Sequence, residues 1–491
     1  VTGALSSQSG LRPHQLKVHH PMSRAPNGWM PALPKSGPKN GKPHYLAIAD
    51  AIAEDIRAGR LAAGDRLPPQ RALAERLSLN FTTVARGYNE AQRRGLIASR
   101  VGFGTFVPEG APAAAGTPPR AARKGLVDMT MNLPPELEDQ ALLARMRQGL
   151  ADLGEDLPAL LRYQEFGGSE EDRQAGVEWL ARRGLTAPRE RLLVTPGSHS
   201  ALLAVLDTVA KAGDVVLAEA LTYPGIRALA AQRGLHLLGM PMDEFGLTLE
   251  GFEEACRTRR PKALYLNPTL QNPTTATIPV ERRRAIAEIA RRHDVAIIED
   301  DAYGLLPESG PDAFASLAPE MTFHICGLAK SLGAGLRIAY LVVPDARRIW
   351  PVTASLRAAT VMASPLTAAL ATRWIGDGTG DAVLAAIREE SRVRRRLAAE
   401  ILPLGSFRTG PEAFHLWMEL PSDWSRSGFV TTMRSSGIGV VASDAFAITN
   451  PPPEAVRVCL GGLLNRDETR FALEQIAHAL EQSPAMAAAL I

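Results

Sequence analysis

The chain has 491 residues, 45% of them hydrophobic, and a formal charge of +3. That is enough apolar material for two or three domains, which excludes a small disulfide-stapled fold. Cys256, Cys326 and Cys459 are scattered without a CxxC pair and no apolar run reaches about eighteen residues, so a disulfide framework, a zinc site and a membrane-spanning helix are all unexpected, and a soluble cytoplasmic protein is expected.

Charge is unevenly spread along the chain. Residues 1–127 hold 18 Lys and Arg against 7 Asp and Glu, a balance of +11, and the remainder holds 37 against 45, a balance of −8. A basic amino-terminal part fits a nucleic-acid-binding module, although such an excess alone is more often a solvated tail. Residues 1–42 lack any hydrophobic period, are rich in Pro, Gly and Ser, and carry six basic and no acidic residues, so a disordered basic tail is expected, with Met22 and Met30 as alternative starts.

From His44 the texture changes. Tyr45, Ile48, Ile52 and Ile56 recur at helical spacing, with Gly59 as the stop signal. After Pro68-Pro69 a short helix turns Leu73 and Leu77 inward, and the three-residue turn "SLN" leads to a second helix, "FTTVARGYNEAQRRG", with Val84, Tyr88 and Ala91 on one face. Two short helices around a tight turn have helix-turn-helix geometry, and "LIASRVGFGTFV" reads as two strands around a wing tip. Thr82, Thr83, Arg86 and Asn89 lie off the Val84/Tyr88 face, where phosphate and base-edge contacts can be made.

The stretch "GDRLPPQRALAERLSLNFTTVARGYNEAQRRGLIASRVGFGTFV" resembles the GntR-family DNA-binding domain. The resemblance implies that residues 43–108 form a winged helix-turn-helix in which Arg71, Thr83 and Arg86 meet double-stranded DNA. Phe81 departs from the pattern, since relatives often carry a basic residue there. Residues 109–127 read as a Pro/Ala/Gly linker, able to reach roughly 60 Å at about 3 Å per residue.

From Asp128 onward, apolar runs such as "RLLVTPG", "DVVLAEA", "KALYLNP", "VAIIEDDAY", "TFHICGL" and "IAYLVVP" alternate with helical stretches. Alternation of this kind implies an α/β domain with a mainly parallel, buried sheet and ligand groups at the strand ends. Gly197, Ser198 and His199 open a helix after one strand, where a phosphate or a plain N-cap fits. Asp300 ends another strand and suits a pyridine nitrogen or a turn, with Tyr303 three residues on. In "CGLAKSLGAGLR", Lys330 suits a Schiff base and Arg337 a phosphate, yet alone this is an ordinary surface lysine. The histidines show no metal-ligand spacing, and no metal is expected.

The order of these pieces, together with "TYPG", "NPTLQNPTT" and a late "VRVCLGG", resembles the fold type I aminotransferases that use pyridoxal 5′-phosphate, across about residues 128–491. Joined to the GntR-like module, the chain resembles the MocR family of transcriptional regulators. That resemblance implies a large subdomain of about 166–355 and an α+β small subdomain of about 128–165 plus 356–491. It implies Lys330 as the covalent lysine, Asp300 at the pyridine nitrogen, Asn272 and Tyr303 at the 3-hydroxyl, and Tyr223 stacked on the ring. Ser198, His199 and Arg337 would hold the phosphate and Arg457 a carboxylate of an amino compound, while Tyr163 would reach the phosphate of the neighbouring subunit in a homodimer on paired half-sites. Gly327 stands where relatives commonly have serine, Ala329 also lacks a hydroxyl, and Thr275 replaces a glycine whose backbone freedom it lacks. A regulator responding to the cofactor or an amino compound is the leading expectation, a working aminotransferase carrying a DNA-binding module the alternative; a scaffold emptied of its cofactor is disfavoured by the retained residues.

Overall fold

The computed structural model describes residues 29–31, 43–57, 60–62, 64–94, 96–100, 104–108 and 126–482. Most of the expected tail, the Gly59 and Gly95 helix ends, the wing tip at 101–103 and linker residues 109–125 lie outside the described residues. The chain divides into two compact units, Val1–Lys124 and Gly125–Ile491.

In the first unit, helices α1 (His44–Arg57), α2 (Gln70–Leu77) and α3 (Phe81–Arg93) precede the antiparallel strands β1 (Ala98–Arg100) and β2 (Gly104–Phe106). The apolar stripe read from the sequence forms its core, with Ile48, Ile52, Leu73, Val84 and Tyr88 buried. A Cβ at Gly87 would lie 3.0 Å from Ile48 Cβ and 3.1 Å from Tyr45 O, so α1 and α3 approach closely because that side chain is missing. Trp29 corrects the expectation of a disordered tail. Its indole is buried in this core and its Nε1 donates to Asp55 Oδ2 at 2.7 Å, which gives one aromatic anchor both apolar burial and a polar partner.

The second unit begins with β3 (Val127–Asp128), so Val127, expected in the linker, is already paired; its N–H donates to Gly437 O at 2.7 Å. The following strands are β4 (Leu192–Thr195), β5 (Val215–Glu219), β6 (His236–Met240), the hairpin β7 (Met242–Asp243) and β8 (Gly246–Leu247), β9 (Ala263–Leu266), β10 (Ala296–Asp300), β11 (Thr322–Gly327) and β12 (Ala339–Val342). Seven of them form one sheet in the order β4-β12-β11-β10-β9-β5-β6. All are parallel except β12, which runs antiparallel to both neighbours. Both faces are covered, as a parallel sheet of near-continuous apolar strands requires.

A second, smaller sheet holds β13 (His415–Glu419), β15 (Val441–Ala442) and β16 (Ala455–Cys459), with β16 central and antiparallel to both. Strand β14 (Ile438–Gly439) pairs in parallel with β3, which draws the first residues of the unit onto this subdomain and its core around Trp424, Phe429 and Leu473. Helices Gln140–Asp152 and Pro365–Gly376 instead pack with Trp179 and Tyr340 in the large-sheet core.

Beneath the strand ends lies a buried charge network. Arg283, fully buried, donates to Ile278 O at 2.9 Å, Pro268 O at 2.9 Å and Thr269 Oγ1 at 3.0 Å, and lies 3.7 Å from Glu299. Glu299 accepts from the backbone N–H groups of Phe314 and Ala315 at 2.8 and 3.0 Å and contacts His324 Nδ1 at 2.9 Å, while Asp301 pairs with Arg183 at 2.8 Å. Glu299, Asp301 and His324 cluster closely; both Glu299 oxygens accept from protein donors and Asp301 Oδ2 from Arg183, while Asp301 Oδ1 and His324 Nε2 have no hydrogen-bond partner among the described residues. Removing Arg283 takes a donor from buried carbonyls and the Thr269 hydroxyl and leaves buried Glu299 without the Arg283 charge. Arg283→Ala is therefore expected to lower stability by about 3–5 kcal/mol, measured by chemical denaturation.

Candidate functional site

In the first unit α3 offers one polar face. Asn80 caps the helix, its Oδ1 accepting from Thr82 N at 3.0 Å and from the Thr82 hydroxyl at 2.9 Å. Phe81, Thr82, Arg86 and Asn89 are exposed and Thr83 is half-buried, while Val84 and Tyr88 point into the core, where the Tyr88 hydroxyl donates to Pro68 O at 2.8 Å. The Arg86 guanidinium stacks 4.4 Å over the Tyr45 ring, and exposed Arg71 lies 5.8 Å over the ring of Phe81. Arg71, Thr82, Thr83, Arg86 and Asn89 thus share accessible surface with two guanidinium groups braced on aromatic rings. Phe81, which departs from the basic pattern, is what braces Arg71.

In the second unit the strand ends converge on a cavity of about 510 Å³. Ser198, His199, Tyr223, Asn272, Asp300, Tyr303, Lys330, Arg337 and Arg457 all line it. Tyr163 does not; it is 81% exposed on the surface.

Helix Ser198–Val209 starts after Gly197, whose φ of 85° suits glycine, and its positive amino-terminal end opens on the pocket. A Cβ at Gly197 would lie 3.0 Å from the Arg337 guanidinium, so the bare backbone lets that cation reach the helix start. Burial, with the Arg337 charge added, lowers the pKa of His199. A Cβ at Gly327 would run into Ser198 Oγ. The hydroxyl missing at Gly327 is thus replaced in space by that of Ser198, a substitution between distant segments that local sequence does not reveal.

Asp300 ends β10 inside the protein. Its Oδ2 accepts from the Tyr265 hydroxyl at 2.8 Å, and its Oδ1 is buried with no hydrogen-bond partner among the described residues. Burial raises its pKa to about 6, against the lowering effect of the Tyr265 bond. Asn267 ties this strand end to the next loop, donating to Asp300 O at 2.5 Å and accepting from Asn272 N at 2.9 Å. Thr275, expected to lack glycine's freedom, adopts φ 63° nonetheless, held by its N–H donating to Gln271 O at 2.6 Å.

Lys330 lies in the wide turn Ala329–Gly333 after β11. Its Nζ donates to the carbonyl of Asn132 and sits 5.9 Å from the centre of the Tyr303 ring. Burial pulls its pKa down to about 8, which favours the neutral, nucleophilic amine. Asn132 Nδ2 donates to the Tyr303 hydroxyl at 2.9 Å. Arg457, on β16, donates to Asn272 Oδ1 at 2.7 Å and to Thr130 O at 2.6 Å, lies over the Phe446 ring at 4.7 Å, and has no carboxylate partner among the described residues. Sequence reasoning missed Tyr265, Asn267, Thr130, Asn132 and Phe446. Asn267 stood in the quoted "NPTLQNPTT"; the others act through contacts far apart in the chain.

Comparison with known proteins agrees with this geometry. Residues 124–476 match the family described as aminotransferase class I and II, and residues 44–107 match the bacterial regulatory proteins of the gntR family. The chain is 32% identical to the uncharacterized HTH-type transcriptional regulator YdeF of Bacillus subtilis over 88% of its length and 92% of that protein. It is 27% identical to the probable rhizopine catabolism regulatory protein MocR of Rhizobium meliloti, over 62% of this chain and 66% of that one. The fold of its second unit is that of the α-aminoadipate aminotransferase LysN of Thermus thermophilus, with a TM-score of 0.65 at 24% identity over 75% of this chain and 94% of that one. A GntR-type winged helix followed by a class I and II aminotransferase domain, in a chain aligned nearly end to end with an HTH-type transcriptional regulator, means that the chain belongs to the MocR-type transcriptional regulators.

Proposed function

We propose that the protein is a DNA-binding transcriptional regulator whose aminotransferase-like domain holds pyridoxal 5′-phosphate and responds to an amino compound. The observation that carries this reading is the buried, unpartnered Asp300 Oδ1 in the same cavity as the depressed Lys330 amine. A protonated pyridine nitrogen fits that carboxylate, an aldehyde fits that amine, and a phosphate fits the cradle of Gly197, Ser198, His199 and Arg337. Asn272 and Tyr303 stand ready for the 3-hydroxyl, and Tyr223 for the ring face. When bound, the cofactor supplies an electron sink for negative charge at the carbon next to an amino group.

The chain's own groups then divide the remaining work. The Lys330 amine would hold or move a proton beside the ligand's α-carbon. Arg457 is a buried cation bonded only to neutral acceptors, so it offers a carboxylate a charge-assisted, forked contact. The ligand must favour one conformation over another for DNA binding to change, because equal affinity for both shifts nothing. Turnover as an aminotransferase is the second reading, and the depressed Lys330 pKa favours it, since a base near neutrality suits proton transfer.

A homodimer on paired half-sites is part of the proposal, and the protein is placed in the cytoplasm with its DNA. Exposed Leu157, Leu161, Tyr163 and the less exposed Phe166 crowd one short segment, an apolar surface that supports burial against a second copy. Tyr163 would then complete the phosphate site across the interface.

Borohydride reduction after incubation with the cofactor, followed by peptide mass spectrometry, is expected to label Lys330, and Lys330→Ala to abolish the label. Attachment requires the neutral amine, so its rate is expected to rise with pH through about 8; a rise only near the ordinary lysine value contradicts the buried setting. Arg86→Ala is expected to weaken operator binding and reduce the salt slope by about 1, read from gel shifts at several ionic strengths. Footprinting with and without cofactor and amino acids, alongside keto-acid assays, separates the readings: protection that never responds to ligand, accompanied by multiple turnovers, favours the enzyme.

A further inference from the structure

We infer that the amino compound recognised by this pocket is an amino acid with an uncharged, mainly apolar side chain. The inference rests on the reading of Arg457 as the carboxylate site. Apart from tyrosines, the ionisable side chains lining the cavity are His199, Asp300, Lys330, Arg337 and Arg457. The first four stand where the cofactor's phosphate, ring nitrogen and aldehyde would be held. Arg457 alone remains for the ligand, and one carboxylate uses its free face.

Beyond its bonds to Asn272 and Thr130, Arg457 is bordered by an apolar wall. Val441 is its direct partner across the β15–β16 pair and therefore shares its face of the sheet. Phe446 lies under the guanidinium at 4.7 Å and is itself held edge-on by Trp417, with ring centres 6.4 Å apart and planes at 83°. Met131 and Leu133 form wall on the side of the amino-terminal segment, and Ala445 lies beside Phe446. Met131 is 58% exposed, so a flexible thioether borders the opening.

Among the described residues, no second cation lines this part of the cavity to receive a distal carboxylate, and no free carboxylate lines it to receive a distal ammonium or guanidinium. A charged side chain would lose its hydration there without gaining a partner. An aliphatic or thioether side chain would gain by burying apolar area against Val441, Phe446 and Leu133. The wall thus selects against acidic and basic amino acids while Arg457 keeps the requirement for a carboxylate.

The test uses calorimetry on the full chain loaded with pyridoxal 5′-phosphate. Isocaproate and succinate are the probes, because both carry the carboxylate and neither has an amine to react with the cofactor. Isocaproate is expected to bind at least about tenfold more tightly than succinate, with binding lost in Arg457→Ala. Met131→Arg, at an exposed position that tolerates a long side chain, is expected to shift the ratio toward succinate. Succinate binding that equals or exceeds isocaproate binding, and that depends on Arg457, overturns the inference and leaves the carboxylate reading standing. Absence of binding by either acid, or binding that survives Arg457→Ala, overturns both.

Discussion

The pocket depends on one topological constraint, the reversed direction of β12. Six strands running the same way place their carboxyl ends, and the loops that follow them, along one edge of the sheet. Because β12 runs the other way between β4 and β11, its first residue, Ala339, lies beside both Thr195 and Gly327. The loop entering β12 therefore meets the loops leaving its neighbours. Arg337 arrives just before that strand, Ser198 just after β4 and Lys330 just after β11, so a cation, a helix start and an amine meet although more than a hundred residues separate Ser198 from the other two in sequence. A parallel β12 would send Arg337 to the opposite edge.

Charge is distributed in the same economical way. The structural charges below the strand ends have counter-charges, Arg283 and His324 facing Glu299 and Arg183 pairing with Asp301, although Asp301 Oδ1, Arg183 Nη2 and His324 Nε2 keep no hydrogen-bond partner among the described residues. The ionisable groups facing the cavity are open. Asp300 has one oxygen bonded to Tyr265 and the other without a partner, and Arg457 is bound by an amide oxygen and a backbone carbonyl. Buried charge without a counter-ion is costly unless a ligand supplies it, so these open valences mark the pocket as a binding site rather than a structural core. The raised Asp300 and lowered Lys330 pKa values have the same origin, burial that penalises each charged form.

The elements that carry the site were legible because each is periodic and local. The strand runs ending at Thr195, Glu219, Leu266, Asp300 and Gly327 are short apolar stretches bounded by turn residues, and every one is a strand. Alone, Asp300 read equally well as a turn-former and Lys330 read better as a surface residue; their order along the chain supplied the meaning. What stayed hidden was contact between distant segments. Nothing near Gly327 says that Ser198 fills the space of the missing serine side chain, and nothing in "LYLNP" says that Tyr265 holds Asp300. Trp29 and Val127 were hidden for another reason. Each is an isolated anchor in a segment of unfavourable composition, where tertiary packing decides and local pattern is silent.

The segment that follows β3 shows how such contacts serve binding. Through Thr130 O and Asn132 O it occupies a donor of Arg457 and the amine of Lys330, and through Asn132 Nδ2 it reaches Tyr303. All these partners are neutral. They take up some of the donors of Arg457 and Lys330 without cancelling charge, while Arg457 Nε keeps no partner among the described residues, so the electrostatic attraction for an anion survives. A carboxylate in the same place would have paired with Arg457 and closed the site, and competing with it would cost an incoming ligand the strength of a buried ion pair. Against a carbonyl, the ligand exchanges a neutral hydrogen bond for a charge-assisted one, and the exchange favours binding.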